Sequence, residues 1–150
     1  MVYRVFSQAS PADGAGEARL VQIAHAHFRA ALSVRTRHVR GITDSERREQ
    51  LTVALTRGDQ TTEHTITRRA ATPDDWSEAD AAAARGRAGG MDALARRCRW
   101  LWEVDEGEDA RATLTLCAIL AATELGPVLP PDGATLYGVR GARERADRLG

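Results

Sequence analysis

Apolar positions recur along this chain with two periods, and the switch between them divides it into elements. Val2–Phe6 reads as a short strand, followed by a Pro/Gly/Ala loop over Ser10–Gly16. From Glu17 to Leu32 the apolar residues recur at helical spacing. Leu20, Val21, Ile23, Ala24, Phe28, Ala31 and Leu32 share one side of a helical projection, which predicts an amphipathic helix. The period then falls to two. Leu32, Val34, Thr36 and His38 alternate with polar neighbours, as do Leu51, Val53 and Leu55, and Thr62, His64, Ile66 and Arg68. Arg57-Gly58-Asp59-Gln60 supplies hairpin chemistry between the last two runs. The loop Gly41–Glu49 has room for a helical turn starting at Thr43 or Asp44. This pattern predicts a three-stranded antiparallel meander with one solvated face.

Beyond Thr72 the helical period returns. Thr72-Pro73-Asp74-Asp75 is a helix start, with acids at the positive end of the dipole. That helix is expected to reach Arg85 and to break over Gly86–Gly90. Helices Met91–Asp105 and Glu108–Leu125 follow, the second ended by Gly126 and Pro127. A turn at Pro130–Gly133, an edge strand over Thr135–Val139 and a short helix over Ala142–Leu149 complete the chain. The expected fold class is α+β, with an N-terminal helix and a three-stranded antiparallel meander followed by a helical C-terminal half. Glu108–Leu125, apolar on every side, is the expected centre of the core. Residues 1–150 read as a single globular domain, an ordinary size for one.

Composition narrows the chemistry. All 21 basic residues are arginine, and neither lysine nor asparagine occurs. Schiff-base and phosphate-loop lysine chemistry is therefore excluded, as is a Cys-His-Asn triad. Formal net charge is zero, which removes a global field toward nucleic acid or an anionic membrane. Its distribution is uneven. Residues 1–72 hold eleven arginines against seven acids, a balance of +4, and residues 73–110 hold five against ten, a balance of −5. Arg35, Arg37, Arg68 and Arg69 are expected on the open sheet face, but stacking aromatics are missing there, which weighs against nucleic acid. Cys98 and Cys117 sit among apolar neighbours and are expected as buried thiols. With no leader pattern at Met1–Phe6 and no spanning apolar run, a cytoplasmic location and no membrane contact are the expectations.

Two groups of residues are candidates for function. Trp100 is expected opposite the apolar face of its helix, with Arg96 four residues before it, Arg97 alongside and Trp76 nearby. A tryptophan ringed by arginines is typical of an interface hot spot. His27, His38 and His64 are each expected to point between helix and sheet, where imidazoles can bind a metal or ligand. His25 and His27, roughly 200° apart on a helix, cannot share an ion. With no catalytic set in the sequence, an enzyme is disfavoured and no cofactor is expected. The leading expectation is a non-enzymatic protein-interaction module, an adaptor, immunity-type or regulatory partner that binds another protein or itself as a homo-oligomer. The alternative is a small-ligand or metal-binding protein, with enzymes included, using the inward-facing histidines.

Overall fold

The computed structural model describes residues 1–8, 16–43 and 45–149. Most of the expected loop at Ser10–Gly16, and Asp44 in the expected helical turn, lie outside them. The chain runs β1 (Val2–Ser7), α1 (Gly16–Phe28), β2 (Ala31–Arg40), β3 (Arg48–Arg57), β4 (Gln60–Ala70), α2 (Pro73–Arg85), α3 (Met91–Arg96), β5 (Trp100–Asp105), α4 (Ala110–Glu124), β6 (Val128–Leu129) and α5 (Val139–Arg148). The six strands form one antiparallel sheet in the order β2-β3-β4-β5-β1-β6.

β2, β3 and β4 pair in succession, with Gly58 (φ 62°) in the two-residue turn between β3 and β4, but they are not a separate three-stranded sheet, because β5 continues it on β4. The expected helical C-terminal half is not found among the described residues. Met91–Asp105 divides into the short helix α3 and the strand β5, and the N-terminal strand β1 lies between β5 and β6. The cause is that β5 is buried on both faces. Trp102 and Val104 enter the core on one side, and Leu101 enters it on the other. A strand covered on both sides loses its polar alternation, so a short apolar run there fits a helical projection as well as a strand. The Thr135–Val139 edge strand reduces to a single bridge between Tyr137 and Val128. Residue 139 already begins α5.

Two layers of helix cover the sheet unequally. On one face α1, α4 and α5 pack over Leu32, Val53, Leu55, Ile66, Trp102 and Val104. α4 lies at the centre of that layer, with every residue from Ala112 to Ala121 buried. Its buried threonines stay satisfied because Thr113, Thr115 and Thr123 donate to carbonyls one turn back, at Asp109, Arg111 and Ile119. Leu125, with φ 57°, ends α4 in the left-handed region. Gly126 follows where a Cβ would meet the Phe6 carbonyl oxygen at 1.8 Å, so only glycine fits.

The other face is covered only over β5, β1 and β6, where α2 and α3 pack on Leu101, Phe6 and Leu129. Asp75 anchors α2 there. It completes a capping box with Thr72 and accepts from Arg69 (2.7 Å) and Arg4 (3.0 Å). Burial alone would raise its pKa, but these partners hold the carboxyl well below the usual carboxylate range. Over β2, β3 and β4 no helix among the described residues covers the same face, which carries mainly Thr side chains with Arg48, Gln50 and Glu63 among them, as expected for a half-solvated meander. No helix among the described residues is long and apolar enough to cross a membrane.

Candidate functional site

The end of the molecule at the start of α4 is concave. A cleft of about 430 Å³ opens between the C-terminal end of α1, the β3–β4 turn, the first turn of α4 and the side of α5. Phe28 and Leu55 supply apolar wall, and four arginines line the cleft: Arg29 just beyond α1, Arg57 at the end of β3, Arg111 in α4 and Arg143 in α5. None of the four forms an ion pair among the described residues.

Each arginine is placed by local structure. Arg29 follows the last residue of α1 with φ 51°, a left-handed conformation that costs a non-glycine residue about 1 kcal/mol. The Ala30 amide returns to the Ala24 carbonyl at 3.1 Å and holds this exit from the helix. Arg57 ends β3 and donates to Thr115 Oγ1 at 3.2 Å. Arg143 lies over the Phe28 ring, 4.7 Å from its centroid, so the ring orients it without neutralising it. Arg111 stands in the first turn of α4, its Nε buried without a hydrogen-bond partner.

Among the described residues the one carboxylate in the cleft wall is Asp109, and it is engaged elsewhere. As the N-cap of α4 it accepts from the Ala112 amide at 2.9 Å, and its second oxygen accepts from Gln60 Nε2 at 3.1 Å. The cleft therefore presents four cations with no carboxylate committed to them. A planar guanidinium can donate two parallel hydrogen bonds to a pair of oxygens of a phosphate or carboxylate and stays charged at any physiological pH.

The histidines are not brought together as one site. His27 lines the arginine cleft but is exposed, because the buried stripe of α1 is the narrow series Leu20, Ala24 and Phe28. His38 is exposed at the sheet edge. A register shift between Val34 and Thr36 turns it to the opposite face from Leu32. His64 alone points inward beside Ile66, 6% exposed. It contacts Thr62 Oγ1 at 2.8 Å through Nε2, and burial lowers its pKa while Asp109 opposes the shift. His64 lines a second cleft that shares Gln60, Thr62, Asp109 and Arg111 with the first. Two of the three histidines thus line adjoining clefts, but no group of three or more His, Cys, Asp or Glu side chains among the described residues can hold a metal ion.

The tryptophan group lies elsewhere. Trp100 begins β5, half-buried, opposite Ser7 and Ala70. The helix that would carry Arg96 over it ends at Arg96, which pairs with Asp80 of α2 instead. Arg97 is exposed, and Trp76 donates from Nε1 to the Cys98 carbonyl at 3.1 Å. Arg68, expected on the open face, is buried over the Trp102 ring, and Arg37 pairs with Glu49 at 2.7 Å. Cys98 and Cys117 are both free and buried, as expected. Burial raises the Cys98 thiol to about 11, which leaves it an unreactive thiol at neutral pH.

Sequence reasoning missed the four arginines of the cleft. They are 28, 54 and 32 positions apart in order along the chain. No spacing rule joins them, and only the sheet order and the packing of α5 on α4 do so.

The chain matches no protein-family model, no curated protein and no solved structure.

Proposed function

We propose that this protein binds a small anionic ligand, one bearing a phosphate or carboxylate group, in the cleft at the start of α4. The observation that carries the reading is the convergence of Arg29, Arg57, Arg111 and Arg143 around a concave space whose single acid among the described residues, Asp109, is already hydrogen-bonded on both oxygens. Unpaired like charges held close together repel, and an entering anion relieves that repulsion. Phe28 and Leu55 would give the ligand's body an apolar surface, as small-molecule sites commonly do.

Thermal unfolding at constant ionic strength tests this. Pyrophosphate at about ten times its Kd should add about 1.4 kcal/mol of stability, a rise in Tm of about 3–5 °C. The paired substitution Arg57→Ala and Arg111→Ala should remove the rise. An equal rise in both proteins, or none in the wild type, contradicts the reading.

A second reading, a protein-interaction module, is favoured by the part-exposed Trp100 with exposed Arg97 and Arg99 beside it. On this reading Trp100→Ala lowers self-association in sedimentation measurements without lowering Tm. A drop in Tm with unchanged association would assign Trp100 to packing alone.

A further inference from the structure

β2 is an edge strand, with β3 as its one neighbour in the sheet. Its two halves differ. Leu32 is buried in the core shared with α1, whereas every residue from Arg35 to Arg40 is exposed. The register shift between Val34 and Thr36 separates the halves, and beyond it Thr36–Arg40 pairs without interruption with Arg48–Thr52. An edge strand has one row of backbone N–H and C=O groups turned away from the sheet, free to pair with an incoming extended chain.

The side chains say which chain would fit. Residues 35–48 contain five arginines against two acids, a balance of +3 in a molecule whose net charge is zero. Arg35 and Arg40 form no ion pair among the described residues, and Arg37 keeps 49% exposure despite its contact with Glu49. Two aliphatic side chains accompany them: Val39 is 47% exposed and Ile42 fully so. Isolated arginines would be accounted for as protection of an edge against self-pairing. A bare isoleucine and valine beside them serve no such protection.

We infer that the outer half of β2 docks an extended acidic segment of a partner protein, adding it to the sheet as a seventh strand. Acidic side chains would meet Arg35, Arg37 and Arg40, and an aliphatic residue would cover Val39 or Ile42. A second copy of this chain is a poorer occupant, because antiparallel pairing of β2 with itself sets arginine against arginine. Single-stranded nucleic acid is poorer too, since no Phe, Tyr or Trp lies between residues 31 and 48 to stack on a base. The proposal does not depend on the arginine cleft, which is built by other residues.

Fluorescence anisotropy tests it with a labelled peptide containing Glu-Val-Thr-Glu-Thr-Glu, which in antiparallel pairing sets glutamate against Arg40, Arg37 and Arg35 and valine against Val39. The peptide should bind the full-length protein, and binding should weaken with salt. A matched peptide carrying proline at two central positions cannot complete the backbone ladder and should bind at least about tenfold more weakly. Arg35→Glu with Arg40→Glu should cause a similar loss while Tm is kept. Should that variant not fold, Arg35→Gln with Arg40→Gln should give a smaller loss in the same direction. No binding of the acidic peptide overturns the proposal. So does equal binding of the proline peptide, tighter binding of an oligothymidylate, or a dimer in solution that the double charge reversal strengthens.

Discussion

Arg29 holds a left-handed backbone (φ 51°) where helices commonly end in glycine, and its side chain lines the cleft. Strain at such a position is informative when the side chain has a use there. Arg29→Gly should therefore separate stability from binding. Denaturant unfolding should show a gain of about 0.5–1 kcal/mol from relieved strain, while affinity for pyrophosphate falls. Loss of stability, or unchanged affinity, would assign Arg29 to the helix end only.

His64 makes a second residue-level prediction. Burial lowers its pKa below the ordinary 6.5. Between the folded and unfolded values the unfolded chain binds more protons, so stability rises with pH through that window and is complete above 6.5. The wild type should thus lose stability as pH falls from about 7 to about 5, and His64→Gln should flatten that part of the profile. An unchanged slope in the variant would place the sensitive group elsewhere.

At the scale of elements, α4 carries the largest packing commitment. Leu116, Ile119 and Leu120 are completely buried between the sheet and the flanking helices. Leu116→Ala should cost about 2–5 kcal/mol in chemical denaturation, and a cost below about 1 kcal/mol would show that the layer relaxes around the loss. This element was legible in the sequence, because a run of apolar residues on all sides of a helical projection marks a helix buried all round. The β3–β4 hairpin was legible too, through Gly58 and the alternation on each side. β5 was not. Its alternation is Trp100, Trp102 and Val104 against Leu101, Glu103 and Asp105, and with both faces partly apolar the period carries no contrast. β2 was legible only as far as its bulge, where a one-residue shift reversed the face assigned to His38.

At the scale of the whole molecule, charge is neutral in sum and specific in placement. The sheet order inserts β1 between β5 and β6, and packing on one face sets α1, α4 and α5 together, with the end of α1, the start of α4 and the side of α5 near the β3–β4 turn. That arrangement gathers Arg29, Arg57, Arg111 and Arg143. The arginine excess of the first 72 residues was visible in the sequence, and so was the absence of lysine, but convergence is a property of topology and had no local signal. His27, His38 and His64 were singled out for a shared site, but His27 and His64 line two different, adjoining clefts and His38 lines neither.

The central claim is that this convergence binds an anion. Titration of isotope-labelled protein with pyrophosphate, followed by backbone amide NMR, tests it most directly, because it locates the ligand as well as detecting it. Saturable shifts should concentrate at Arg29, Gly58, Arg111 and Ala112 and give one common Kd. Shifts absent from those amides, or confined to the arginines of β2, would contradict the claim.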